Sequence, residues 1–137
     1  MKWGERYPAD FANRLYNMVR RNLTGDLRFV CFTDDPTGLC AEVEYQPLPP
    51  IDLPERYRWL PWRKISLWQE GLGGLEGEVL FLDVDLIVTG SLDPFFEFSP
   101  GQFCVAENWT QKGMGIGNTS VYKWVVGRHS EIFEKYQ

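Results

Sequence analysis

The sequence lacks an excess of basic residues, a long apolar run and closely spaced cysteines. Its formal net charge is −5, which argues against the broad basic surface that a nucleic-acid backbone requires. No apolar run approaches the roughly 20 residues that span a bilayer, and the first residues lack the apolar stretch of a signal peptide. We therefore expect a cytoplasmic protein with no nucleic-acid partner and no membrane span.

The composition is that of a globular protein. Hydrophobic residues make up 44% of the chain and aromatic residues 15%, which is enough for a substantial core. A length of 137 residues suits a single domain over 1–137. The three cysteines have no CxxC spacing, which is typical of reduced core thiols. The single histidine, His129, precedes an amphipathic helix and is predicted to lie at the surface.

Helical and strand-like patterns alternate along the chain. Residues 10–24 carry apolar side chains at helical spacing, with Asp10 as the expected cap and Gly25 as the expected stop. The apolar runs 28–33 and 78–83 are typical of strands buried on both faces, as in a parallel or mixed sheet covered by helices. Further strands are predicted over 42–45, 103–106 and 120–126, and further helices from Pro61 and over 130–136. The predicted fold class is therefore α/β.

The most informative segment is residues 79–85, in which four apolar residues lead directly into Asp83 and Asp85. Residues two apart on a strand point to the same side, so both carboxylates are expected together where the strand ends. Paired carboxylates suit Mg²⁺ or Mn²⁺, which keep other positions for water and substrate phosphates. The carboxyl edge of an open α/β sheet is also where ligands usually bind. The alternative interpretation is that the two acids only cap a loop.

Residues 81–96, FLDVDLIVTGSLDPFF, resemble the LDxDxxV…L..LF signature of GT-A nucleotide-sugar glycosyltransferases, in the group that includes glycogenin and bacterial lipooligosaccharide galactosyltransferases. Other segments resemble a bacterial branch of such transferases, namely residues 2–7 with 13–16, 28–35 and 118–121. The resemblance implies a GT-A-like open, mostly parallel sheet flanked by helices. The family usually has a full strand in the middle of the sheet before the position of Trp3, and a late histidine ligand. We therefore expect a sheet that is incomplete at both ends.

The resemblance also implies roles for individual residues. Asp83 and Asp85 would hold Mn²⁺ or Mg²⁺ on the diphosphate of a nucleotide sugar, most often UDP. Lys64 would lie close to this donor, in a binding and catalytic role. Asn118 would face the donor sugar or the acceptor as a second catalytic residue. The implied function is metal-dependent transfer of a sugar to an unknown glycan, lipid or protein acceptor.

Two other functions stay open. The first is a catalytically silent remnant that binds a nucleotide sugar or supports an assembly, because a central strand and a late ligand are missing. The second is a phosphatase of the haloacid-dehalogenase type, in which Asp83 would be the nucleophile and Asp85 the acid/base. That motif usually opens the chain and needs a downstream lysine and a second acidic pair. Here only three lysines follow the motif, and no Asp follows Asp93.

Overall fold

The computed structural model describes all residues, 1–137, as a mixed α/β arrangement with open sheets, which confirms the predicted fold class. The elements in chain order are α1 (Ala9–Asn22), β1 (Val30–Thr33), β2 (Glu44–Pro47), a 3₁₀ helix (Pro61–Trp68), β3 (Glu78–Leu82), α2 (Asp93–Glu97), β4 (Cys104–Glu107), β5 (Gly117–Val125) and α3 (Glu131–Glu134). No helix combines the length and the apolar character needed to cross a membrane.

The strands form two small sheets. In the first, β1 runs parallel to β2, with Val30 opposite Glu44. In the second, β5 lies between β3 and β4 and is antiparallel to both. This second sheet departs from the mostly parallel arrangement that we predicted. The loop 108–116 between β4 and β5 is shorter than the crossover of about a dozen residues that parallel neighbours need.

Helix α1 packs against both sheets. Its buried positions are Ala12, Leu15 and Val19, one face of the predicted stripe, whereas Phe11 is exposed. Ala12 contacts the β1 side of the core, and Leu15 and Val19 contact Leu92 and its neighbours. The helix therefore supplies apolar surface that the two sheets share.

Several predicted boundaries are wrong in detail. Pro8 rather than Asp10 occupies the N-cap, and Asp10 forms an ion pair with Arg14 one turn later. The helix predicted from Pro61 is a 3₁₀ helix that ends at Trp68. Strand β2 begins later than predicted, and β5 begins earlier, at Gly117. Strand β4 is half-buried and lies at the edge of its sheet.

The core of the three-stranded sheet is aromatic. The ring of Tyr122 on β5 lies 4.9 Å from that of Phe81 and 5.7 Å from that of Trp68, and both pairs are stacked. Trp124 packs beside them. Lys123 is also buried, and its ammonium group donates to Glu78 at 2.9 Å and to two backbone carbonyls. This sheet therefore has both stacked rings and a buried ion pair.

Candidate functional site

The two acids of the D-x-D motif lie in a turn at the carboxyl end of β3. The backbone N–H of Asp83 donates to the carbonyl of Ser120 at 2.9 Å, which holds the chain against β5. The N–H of Leu86 then donates to the carbonyl of Asp83 at 3.2 Å and closes the turn. Because β3 ends at Leu82, this turn, and not the alternation of a strand, positions Asp83 and Asp85.

Lys64 reaches Asp83 from the 3₁₀ helix. Its Nζ lies 2.6 Å from Oδ1 and 2.8 Å from Oδ2 of Asp83, and it also donates to the carbonyl of Thr119 at 3.3 Å. The Lys64 side chain is only 15% exposed. The structure therefore brings together two predicted site residues that are 19 positions apart in the sequence, and Lys64 is not a solvated surface lysine.

Asp85 has a partner that the sequence did not point to. The hydroxyl of Tyr7 donates to Oδ2 of Asp85 at 2.6 Å. This hydrogen bond raises the pKa of the Tyr7 hydroxyl, because ionised Tyr7 would face a carboxylate. Tyr7 lies in the segment 2–7 that carried part of the family resemblance, but nothing in its local pattern indicated a contact 78 residues away.

Both acids and Lys64 line one cavity of about 590 Å³. This volume lies in the range of small-molecule sites, about 300–1,000 Å³. The N-terminal segment 2–7 forms another part of the wall, together with Trp59 and Pro61. The motif, the basic residue and the N-terminal segment therefore meet at one concave surface.

The chain matches no known protein family, no curated protein and no solved structure.

Lys2 is a further cation in this cavity. The residue is 3% exposed and lines the cavity, yet its ammonium group forms none of the hydrogen bonds or ion pairs seen for Lys64 and Lys123. Its ammonium nitrogen is not one of the fully buried side-chain atoms that lack a partner, so it keeps contact with solvent and stays available for a partner. An anionic ligand in the cavity would supply that partner.

The N-terminal wall is fixed by the loop after β1. The N–H of Gly4 donates to Oδ2 of Asp34 at 2.9 Å. Gly4 has a φ of +63°, and a Cβ at this position would lie 2.6 Å from the Trp59 ring. Glycine is therefore needed at this close approach. Asp35 accepts from the N–H of Thr37 at 2.9 Å and shapes the following turn.

The donor set fits a cation that shares its coordination with a ligand. No group of three His, Cys, Asp or Glu side chains is arranged to hold a metal ion. Two carboxylates at a cavity suit Mg²⁺ or Mn²⁺, which bind through one or two carboxylates and substrate phosphates. His129 is not a third ligand here, because its Nδ1 lies 3.4 Å from Glu131 and its ring packs near Trp68.

Asn118 lies on β5, one residue before Thr119, and its side chain binds its own strand. Its Oδ1 accepts from the N–H of Ser120 at 2.9 Å, within β5. The residue does not belong to the cavity wall, although its neighbour Thr119 accepts from Lys64. The structure therefore brings together Asp83, Asp85 and Lys64, and it leaves Asn118 beside them.

Proposed function

We propose that this protein transfers a sugar from a nucleotide sugar, most often a UDP-sugar, to a glycan, lipid or protein acceptor, with Mn²⁺ or Mg²⁺ at Asp83 and Asp85. The observation that carries the proposal is the meeting of these two acids with Lys64 at one cavity of about 590 Å³. A GT-A-like fold is part of the proposal. It is supported by the motif's place directly after an apolar strand of an α/β protein.

The charges at the cavity suit a diphosphate. Asp83 and Asp85 would hold the cation, which would stabilise the negative charge that grows on the leaving diphosphate. Lys64 is held by Asp83 and by a backbone carbonyl, so its ammonium group is already oriented toward the same place. Lys2 offers a second positive charge at the same cavity. Charge-assisted hydrogen bonds from these lysines would bind phosphate oxygens.

A second function, binding without transfer, is favoured by one observation. Lys64 already neutralises Asp83, with both carboxylate oxygens within 2.8 Å of Nζ. The acid therefore has a counter-charge without a metal ion, and a cavity of this kind would bind a nucleotide sugar independently of metal. The two functions differ in whether divalent cations strengthen binding.

The test is calorimetric titration of UDP with and without Mn²⁺. We expect the parent to bind UDP about tenfold more tightly with Mn²⁺, which corresponds to roughly 1.4 kcal/mol. The isosteric variant Asp83→Asn/Asp85→Asn should lose this metal dependence. Asp52→Asn is the matched control, because Asp52 is an exposed acid away from the cavity. Equal, metal-independent binding by the parent and the double variant would favour the binding module.

Two further measurements separate the remaining functions. Slow release of free sugar from a UDP-sugar by the parent, and not by the double variant, would indicate transfer to water. Hydrolysis of a generic phosphomonoester that Asp83→Asn abolishes would instead indicate the phosphatase.

Lys2→Gln should weaken UDP binding about tenfold, as expected for loss of one charged hydrogen bond, and should leave the melting temperature near that of the parent.

A further inference from the structure

The two acids of the D-x-D motif are held in unequal ways. Both carboxylate oxygens of Asp83 face one ammonium group, because Nζ of Lys64 lies 2.6 Å from Oδ1 and 2.8 Å from Oδ2. Asp85 accepts a single hydrogen bond, from the hydroxyl of Tyr7 to Oδ2, and its Oδ1 accepts none. Asp85 therefore keeps one oxygen free for a further ligand, whereas Asp83 already has a cation at both oxygens.

The ion pair between Lys64 and Asp83 is shielded from water. The two side chains are 15% and 23% exposed, whereas those of the surface pair Arg14 and Asp10 are 73% and 59% exposed. Shielding from water strengthens the attraction between opposite charges. Removing one partner of a shielded pair also leaves the other charge uncompensated. A metal ion that binds Asp83 must therefore displace an ammonium group that is firmly held.

Lys64 has further partners that do not depend on Asp83. Its Nζ donates to the carbonyl of Thr119 at 3.3 Å and lies 5.1 Å from the centre of the Phe81 ring. An ammonium group over an aromatic face is attracted by the ring. Lysine also carries three donors on a flexible four-carbon stem. The Lys64 ammonium group can therefore leave Asp83, stay at the cavity and donate to a phosphate oxygen.

We propose that Lys64 is an exchangeable counter-ion of Asp83: its ammonium group leaves Asp83 for a phosphate oxygen of the donor when a divalent cation binds at Asp83. This inference rests on the proposed function and adds a rule for the order of binding. A cation alone would displace Lys64 and leave its charge without a partner. A diphosphate alone would draw Lys64 away and leave Asp83 uncompensated. Each ligand therefore strengthens the binding of the other by the same factor.

The first test measures Mn²⁺ binding without any nucleotide, from the electron paramagnetic resonance signal of free Mn²⁺. Lys64→Met should bind Mn²⁺ about tenfold more tightly than the parent, because Asp83 then has no counter-charge. Lys2→Met is the matched control. It removes the same charge from the same cavity, but Lys2 forms no ion pair with either acid. Its gain should be about threefold or less, and equal gains by the two variants would overturn the proposal.

The second test measures UDP binding without any metal ion, by calorimetric titration in the presence of a chelator. Asp83→Asn should bind UDP about tenfold more tightly than the parent, because Lys64 is then free to donate to a phosphate oxygen. Asp85→Asn is the matched control, since it removes the same charge from the same cavity but does not hold Lys64. Equal gains by these two variants would also overturn the proposal. This comparison decides the question even where Lys64→Met does not fold.

The outcomes separate this inference from the proposed function. UDP binding by the parent that Mn²⁺ does not strengthen would count against metal-dependent transfer, whatever the variants do. Stronger UDP binding with Mn²⁺ in the parent, together with equal gains in either comparison, would leave the transfer proposal standing and overturn the exchange at Lys64. The Mn²⁺ comparison needs no nucleotide, so it tests the role of Lys64 even if the protein binds no UDP.

Discussion

The two sheets of this protein are stabilised in different ways. The three-stranded sheet is antiparallel, is built around the nine-residue strand β5 and carries stacked rings and a buried lysine. The two-stranded sheet is parallel and has two strands of four residues. A two-stranded sheet has little independent stability. The candidate site lies at the ends of both sheets, so its N-terminal wall depends on the weaker one.

This comparison predicts uneven local stability. Regions with few buried apolar contacts open at lower free energy than the rest of a domain. β2 alternates between half-buried and exposed residues, whereas β1 is buried at Cys31, Phe32 and Thr33. We therefore expect β2 and the segment 2–7 to exchange their backbone hydrogens before β3 and β5. The following changes test whether the two sheets are as different as their packing indicates.

The largest effect is expected at the centre of the aromatic cluster. Tyr122→Ala would remove a ring that stacks on Phe81 and Trp68, and it should lower the free energy of unfolding by about 3 to 5 kcal/mol. Tyr122→Phe is the matched control. The Tyr122 hydroxyl is buried without a hydrogen-bond partner, and burial raises its pKa. The Phe variant should therefore be as stable as the parent or more stable in urea denaturation, and a clear loss would show that the hydroxyl has a partner.

The buried lysine of the same sheet should give the next largest effect. Lys123→Met leaves Glu78 without its cation and frees the carbonyls of Phe98 and Ser99, so we expect a loss of about 2 to 3 kcal/mol. Lys123→Met/Glu78→Gln should recover part of this loss. Lys123 lowers the pKa of Glu78, so the pair stabilises the fold near neutral pH and loses this effect as pH falls through the lowered pKa. A double variant no better than the single one would contradict this account.

Gly73 tests the contact between the sheets. Its φ is +53°, and a Cβ there would lie 2.8 Å from the Phe32 ring on β1. Gly73→Ala should cost about 2 kcal/mol, from backbone strain and from displacement of that ring. Gly74→Ala is the matched control, because Gly74 also has a positive φ of +65° but nothing within 4 Å. Urea denaturation should give a larger loss for Gly73→Ala, and equal losses would mean that the Phe32 contact is unimportant.

The smallest effect is expected in the two-stranded sheet. Arg28 binds Glu44 through two hydrogen bonds of 2.7 and 2.8 Å and lowers the pKa of Glu44 from 4.5 to about 2. The pair therefore stabilises the fold above the ordinary pKa and loses this effect as pH falls from 4.5 to about 2. The two side chains are 49% and 36% exposed, so solvent screens the pair and the stabilisation is small. The urea midpoints of the parent and Glu44→Gln should differ at pH 6 and converge as the pH falls to about 2.

Part of the candidate site could be predicted, because Asp83 and Asp85 follow directly on a recognisable local sequence pattern. The apolar run before Asp83 predicted a strand with two acids at its carboxyl end, and the structure places the acids there. The spacing did not reveal that a turn would position them, because the bond that closes the turn, from the N–H of Leu86 to the carbonyl of Asp83, leaves no mark on the apolar pattern. Tyr7 was missed because its partner Asp85 is distant in the chain. Asn118 was expected at the donor, yet its amide binds its own strand.

The sequence by itself determined the α/β class, the helix α1, the apolar strands and the two acids, because each depends on periodicity or on neighbouring residues. Only the tertiary structure decided how the strands pair and which charges meet. It set β5 antiparallel between β3 and β4, and it placed Lys64 on Asp83 and Tyr7 on Asp85. The physical reason is that these contacts join residues far apart in the chain, and each depends on the packing of the whole domain.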